Sequence, residues 1–98
     1  MEVLRPRESF GALMAYSIFL RPAAVRDLKS LPVELQSRIE KAIQRLTDEP
    51  RTSGTKKLAG FENEWRLRVG DYRVLYIIND SAQQVVIARV AHRREAYR

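Results

Sequence analysis

Glu64-Trp-Arg-Leu-Arg-Val-Gly-Asp-Tyr-Arg-Val-Leu-Tyr-Ile-Ile-Asn-Asp80 decides the fold, because it reads as one β-hairpin with a fixed register. Gly70-Asp71 is a two-residue turn signal with glycine first, and the residues on either side alternate with the period of a strand. A two-residue loop pairs Val69 with Tyr72, Arg68 with Arg73, Leu67 with Val74, Arg66 with Leu75 and Trp65 with Tyr76. Alternate pairs point to opposite faces. One face then carries Trp65, Leu67, Val69, Tyr72, Val74 and Tyr76, which read as core, and the other carries Arg66, Arg68 and Arg73. Like charges opposite each other destabilise a sheet by up to ~1 kcal/mol, so Arg68 facing Arg73 points to a bound anion.

Working outward from the hairpin, Asn79-Asp-Ser-Ala82 is a second turn and Gln84 to Ala91 a third antiparallel strand, which makes a meander. Upstream, residues 50–63 are turn-rich and basic, with Arg51, Gly54, Lys56, Lys57 and Gly60, and read as a mobile loop. Before that, Leu35, Ile39, Ala42, Ile43 and Leu46 recur at helical spacing, giving the clearest helix of the chain. Leu31-Pro32 opens it and Asp48-Glu-Pro50 ends it. A shorter amphipathic helix spans 22–30 around Val25 and Leu28, with Pro22 in its first turn. The apolar run Ala15 to Leu20, stopped by Arg21-Pro22, suits a first strand. The expected fold is α+β: an N-terminal strand, an antiparallel helix hairpin packed on a small antiparallel meander, and a short helical tail over 93–98. Met14-Ala-Tyr reads as the start of this single domain, residues 14–98, and residues 1–13 as a disordered N-terminal extension.

Ninety-eight residues allow one domain, which buries only about 60 to 65 per cent of its unfolded surface. The chain has no cysteine and a single histidine, so neither a disulfide scaffold nor a protein zinc site is expected, and no motif calls for a cofactor. No apolar run approaches the ~20 residues that span a bilayer. Neither does the first stretch hold a signal-peptide core, and a cytoplasmic protein away from membranes is expected. Eighteen Lys plus Arg against twelve Asp plus Glu give a formal charge of +6, which favours polyanionic partners. Fourteen of the eighteen cations are arginine, whose planar fork suits phosphate and stacks on bases.

Four segments in this order resemble the RelE/ParE toxin superfamily: Arg21-Pro-Ala-Ala-Val-Arg-Asp-Leu28, Lys57-Leu-Ala-Gly60, Gly70-Asp-Tyr-Arg-Val-Leu-Tyr76 and His92-Arg-Arg-Glu-Ala-Tyr97. The resemblance covers residues 14–98. It implies the toxin of a type II toxin-antitoxin system and, on the RelE branch, a metal-independent endoribonuclease that cleaves mRNA on translating ribosomes. Its partners would be mRNA, the ribosome and a cognate RelB-like antitoxin, with operator DNA bound only through the antitoxin complex. The ParE branch implies instead a DNA gyrase inhibitor without an RNase site. A catalytically inert nucleic-acid-binding module is a third reading.

Carried over by position, the RelE-like site falls on Arg66, Arg68, Arg73, Arg93 and Tyr97. Arginine stands at 66 and 68 where lysines are common in the family, and His92, Arg93 and Arg94 compete for one role. Arginines stay protonated, so the four are assigned to stabilising phosphate charge and not to proton abstraction. A solvated strand face explains Arg66 equally well. Tyr97 is a candidate for proton transfer, or an aromatic anchor on the sheet. His92 is the only side chain whose unperturbed pKa lies near neutrality, although a lone histidine at a strand end is more often structural. Lys56, Lys57 and Arg94 read as phosphate contacts. Glu62 and Glu64 read as surface charge, so no carboxylate pair is available for acid-base work.

Overall fold

The computed structural model describes residues 2–4, 15–52, 54–58 and 64–95. Its elements run β1 (Glu2–Leu4), β2 (Ser17–Leu20), α1 (Pro22–Lys29), α2 (Val33–Arg45), β3 (Thr55–Lys57), β4 (Glu64–Val69), β5 (Tyr72–Asn79) and β6 (Gln84–His92). The six strands form one sheet in the order β1-β2-β6-β5-β4-β3. The β4–β5 hairpin has the register its turn demands, with Arg68 opposite Arg73 and Val69 opposite Tyr72. Gly70 takes φ +59, and Gln83 alone among the described non-glycine residues has a positive φ. The turn therefore needs glycine only at its first central position.

Both helices cover one face of the sheet. Ala24 and Leu28 from α1, with Ile39, Ala42 and Ile43 from α2, are buried together with Ile18, Leu67, Val74, Ile78, Val85 and Ile87 from the strands. Pro22 opens α1, where its missing N–H costs no hydrogen bond, and Arg26 and Lys29 lie in its last turn, complementing the helix dipole. No described helix covers the opposite sheet face.

Three features go beyond the pattern of apolar periods. First, β2 pairs with β6 in parallel, Ser17 against Gln84 through Leu20 against Ile87, so the sheet is mixed and not antiparallel throughout. Secondly, the segment read as a mobile loop contains β3, antiparallel to β4 with Lys56 opposite Arg66. Gly54 at φ +88 turns the chain, and both the backbone N–H and the hydroxyl of Thr55 donate to the Thr52 carbonyl. Thirdly, a bulge in β6 shifts the β5 partners from Arg89, opposite Leu75, to Ile87, opposite Tyr76, and leaves Ala88 unpaired. Beyond Ile87 the edge of β6 is taken by α1: the Asp27 carboxylate accepts the Val90 N–H at 2.9 Å and the Arg89 Nε–H at 2.8 Å.

Glu2–Leu4, inside the segment read as an extension, pairs antiparallel with β2, whereas residues 5–14 lie outside the described residues. At the other end, 93–95 form a turn, and 96–98, the rest of the expected helical tail, also lie outside them.

Tyr76 anchors the loop before β3. It is 1 % exposed, and its hydroxyl donates to the Pro50 carbonyl at 2.6 Å. Burial pushes this phenol up to about 12. Because the folded state holds the proton more tightly than the unfolded chain, this contribution to stability is complete below pH ~10 and is lost as pH rises toward 12. Urea melts between pH 9 and 12 are expected to show that loss in the wild type and a smaller one in Tyr76→Phe. The variant should also cost about 1–2 kcal/mol at neutral pH, since it strands a buried carbonyl.

Candidate functional site

On the helix-free face, the edge strand, the hairpin and the Gly54 turn enclose a cleft of about 320 Å³ lined by Gly54, Thr55, Lys56, Arg66, Arg68 and Arg73. Register explains the gathering. Lys56 stands opposite Arg66 and Arg68 opposite Arg73, all on the face that alternates with the core positions Leu67, Val69 and Val74. Arg68 donates its backbone N–H to Gly54 at 3.0 Å, which ties the turn into the wall of the cleft. Arg73 turns toward the hairpin loop, its Nη1 donating to the carbonyls of Gly70 at 3.1 Å and Tyr72 at 3.0 Å. Those two carbonyls fix the guanidinium and offset part of the repulsion from Arg68. Nε and Nη2 of Arg73 remain to bind an anion.

Of the residues picked from the sequence, the structure brings together Lys56, Arg66, Arg68 and Arg73. Lys57 stands opposite Trp65, one step out of phase, and so belongs to the other side of β3. His92 is also elsewhere. It pairs with Tyr72, on the core-side alternation, and packs edge-on against that ring with centroids 5.4 Å apart. The bulge is the cause: without the unpaired Ala88, the register from Asn79–Gln84 would set Ala91 opposite Tyr72 and put His92 on the arginine face. Arg93 and Arg94 are exposed in the turn after β6. The Arg93 N–H donates to the Asp71 carbonyl at 2.7 Å, and its Nε lies 4.0 Å from the Asp71 carboxylate. Tyr97 lies outside the described residues.

The sequence reading missed the β3 wall, Gly54 and Thr55, and also what holds that wall in place. Arg51 makes a two-pronged ion pair with Asp80 at the β5–β6 turn, 2.9 and 3.2 Å, while its Cζ stands 5.3 Å from the centre of the Trp65 ring. The Tyr16 hydroxyl donates to the same carboxylate at 2.7 Å. Arg51, then Tyr16, hold Asp80 below the ordinary carboxylate value, and the Asp80 contact raises the Tyr16 phenol. The available signal was the Thr55-Lys56-Lys57 triplet, whose β-branched head faces inward and whose lysines suit an exposed edge strand.

No described helix is long and apolar enough to cross a membrane, and no cluster of His, Cys, Asp and Glu among the described residues could hold a metal.

Comparison with known proteins agrees with this architecture. The toxin RelG of Mycobacterium tuberculosis is 37% identical over 86 residues, covering 87% of this chain and 99% of the relative. The toxin RelE3 of Methanocaldococcus jannaschii is 31% identical over 77 residues, covering 74% and 85%. Among solved structures, the RelBE2 toxin-antitoxin complex of M. tuberculosis superposes with a TM-score of 0.69 at 36% identity, over 80% of this chain and 98% of that one. The RelE-RelB complex of Pyrococcus horikoshii gives 0.74 at 29% identity, over 84% and 99%. A family described as the ParE toxin of the type II toxin-antitoxin system parDE matches residues 18–97. With the fold, the arginine-lined cleft and these matches in agreement, the chain belongs to the RelE/ParE family of type II toxin-antitoxin toxins.

Proposed function

We propose that this toxin is a RelE-like mRNA interferase, which binds mRNA on the ribosome and cleaves it at a phosphodiester seated in the arginine cleft. The convergence of Arg66, Arg68, Arg73 and Lys56 on one helix-free face carries the reading. A ribose 2′-oxygen attacks the adjacent phosphorus, the bond to the 5′-oxygen breaks, and the products are a 2′,3′-cyclic phosphate and a 5′-hydroxyl. Negative charge grows on the non-bridging oxygens, where guanidinium donors are worth most. Arg68 and Arg73 face that charge from two strands, with Arg66 and Lys56 positioning the flanking backbone. No metal is invoked, since guanidinium supplies the positive charge. Arg93, in step with Arg73 and Ala91 along the chain, is the fourth arginine at the phosphate, and Arg94 follows the backbone further out. Tyr97 takes the proton from the 2′-oxygen or returns one to the leaving 5′-oxygen. His92, packed edge-on against Tyr72, supports the end of the site.

The partner is a cognate RelB-like antitoxin. Relatives solved as RelB-RelE complexes support this, as does the cationic face that an acidic-to-amphipathic chain would neutralise. Operator DNA is bound only through that complex, and both proteins act in the cytoplasm.

The family description also names ParE, which keeps a gyrase-inhibitor reading in view. Parallel assays of mRNA integrity during translation and of gyrase supercoiling separate the readings. Cleaved mRNA with active gyrase is the expected result. Intact mRNA with inhibited gyrase would replace it by the ParE-like reading, and no effect in either assay would leave an inert nucleic-acid-binding module.

A further inference from the structure

Strand β6 delivers His92 and Arg93 to the end of the site, and their placement depends on one irregularity. Ile87 and Val90 are both buried although they lie three positions apart, a spacing that a regular strand sends to opposite faces. The unpaired Ala88 absorbs the difference. In a straight β6 with Ala88 still in the chain, Arg89 would stand opposite Val74 in the core and His92 would move to the arginine face. Arg93 would then leave the alternation it shares with Arg73 and Ala91.

Little of the sheet holds this bulge from the outer side. β2 pairs with β6 only as far as Ile87, whose carbonyl accepts the Arg21 N–H at 2.9 Å. Beyond that point Asp27 of α1 takes the place of a neighbouring strand. Its carboxylate accepts from the Val90 N–H at 2.9 Å and from Arg89 at both Nε, 2.8 Å, and Nη2, 3.1 Å. Straightening would have to turn Arg89 inward and Val90 outward, and the one carboxylate holds both. The Arg89 side chain is 55 % exposed, where an ion pair by itself contributes little. Asp27 is only 18 % exposed and meets a partly buried backbone N–H that lies past the end of β2 and needs an acceptor. Downstream, the Arg93 N–H donates to the Asp71 carbonyl at 2.7 Å and the Arg94 N–H to Nδ1 of His92 at 3.3 Å. The turn that carries both arginines is thus built on the register that Asp27 keeps.

We propose that Asp27 is a positioning residue of the arginine site: by pinning the Ala88 bulge from outside the sheet, it keeps Arg93 in phase with Arg73 and His92 against Tyr72. It touches no substrate and acts through the register of β6. Its effect on cleavage rests on the nuclease reading above, whereas its effect on register does not.

The test pairs two readouts on the full-length toxin. His92 is the only histidine of the chain, so the NOE between its ring and that of Tyr72 reports the register without any substrate. Asp27→Ala is expected to weaken that NOE about threefold or more and to slow single-turnover mRNA cleavage about 10- to 100-fold, the scale of a misplaced group, with half-saturation by ribosomes within about twofold of wild type. Asp27→Asn keeps an oxygen for the Val90 N–H, so it should retain the NOE and stay within about threefold in rate. Arg89→Ala, which leaves the Val90 bond in place, should do the same. Deleting Ala88 supplies the sharpest contrast, because the shortened chain reaches the same pairs, Arg89 with Leu75 and His92 with Tyr72, as a straight strand. In that background Asp27→Ala should change neither the NOE nor the rate by more than about twofold. An unchanged NOE in Asp27→Ala, or an equal loss with and without Ala88, would overturn the inference. Absence of mRNA cuts by the wild type would count against the nuclease reading and leave the NOE to decide the role of Asp27.

Discussion

Arg73→Ala is expected to lower the single-turnover rate of ribosome-dependent mRNA cleavage by about 100- to 1000-fold, the usual loss when one preorganised donor to a developing oxyanion is removed. Geometry makes Arg73 the most sensitive of the four cleft cations. Two carbonyls of the hairpin turn hold its Nη1, so its remaining donors are already aimed when substrate arrives. Arg68→Ala should cost less, because Arg68 is exposed and no side-chain hydrogen bond fixes its guanidinium among the described residues. The fold should tolerate Arg73→Ala. The side chain lies on the helix-free face, and its removal relieves a like-charge pair worth up to ~1 kcal/mol, so the melting temperature should hold or rise slightly. Arg73→Lys should recover only part of the rate, since an ammonium keeps the charge but loses the planar fork. A cleavage rate within threefold of wild type in Arg73→Ala would remove this residue from the chemistry.

The largest stability effect is expected at Ile43→Ala. Ile43 is 0 % exposed, projecting from α2 into the core shared with the sheet. Truncation removes transfer free energy and leaves a cavity that a sheet and two helices close poorly, costing about 3–4 kcal/mol. For a domain of this size that lowers the melting temperature by about 12–30 °C. Calorimetry of the purified toxin measures it directly. A fall below about 5 °C would mean that α2 packs less closely on the sheet than the structure has it. Val33, 78 % exposed on the same helix, serves as the contrast: Val33→Ala should move the melting temperature by no more than about 3 °C.

The two predictions draw on parts of the structure that were unequally legible in the sequence. The hairpin could be read residue by residue, because a two-residue turn with glycine first leaves one register, and that register alone puts Arg68 opposite Arg73. Helix α2 was equally plain, its period set by Ile39, Ala42 and Ile43. The parallel pairing of β2 with β6 was hidden, since it joins segments more than sixty residues apart and only closure of the whole fold selects it. β3 was hidden for a different reason. A basic triplet carries no apolar alternation of its own, and its pairing comes from β4 and the Gly54 turn. The Ala88 bulge mattered most for the site. One unpaired residue sends Val90 into the core and His92 onto Tyr72, which removes the histidine from the arginine face that an unbroken alternation would have given it. Local sequence does not announce such a bulge. Asp27, some sixty positions away, anchors the strand just beyond it.

The central claim is that the arginine-lined face of this toxin holds a phosphodiester undergoing attack by its own 2′-hydroxyl. The measurement that tests it most directly is end analysis of ribosome-bound mRNA after incubation with the wild-type toxin. The account predicts paired fragments ending in a 2′,3′-cyclic phosphate and beginning with a 5′-hydroxyl, cut within the codon held in the decoding site. Intact mRNA at toxin concentrations that arrest growth would contradict it.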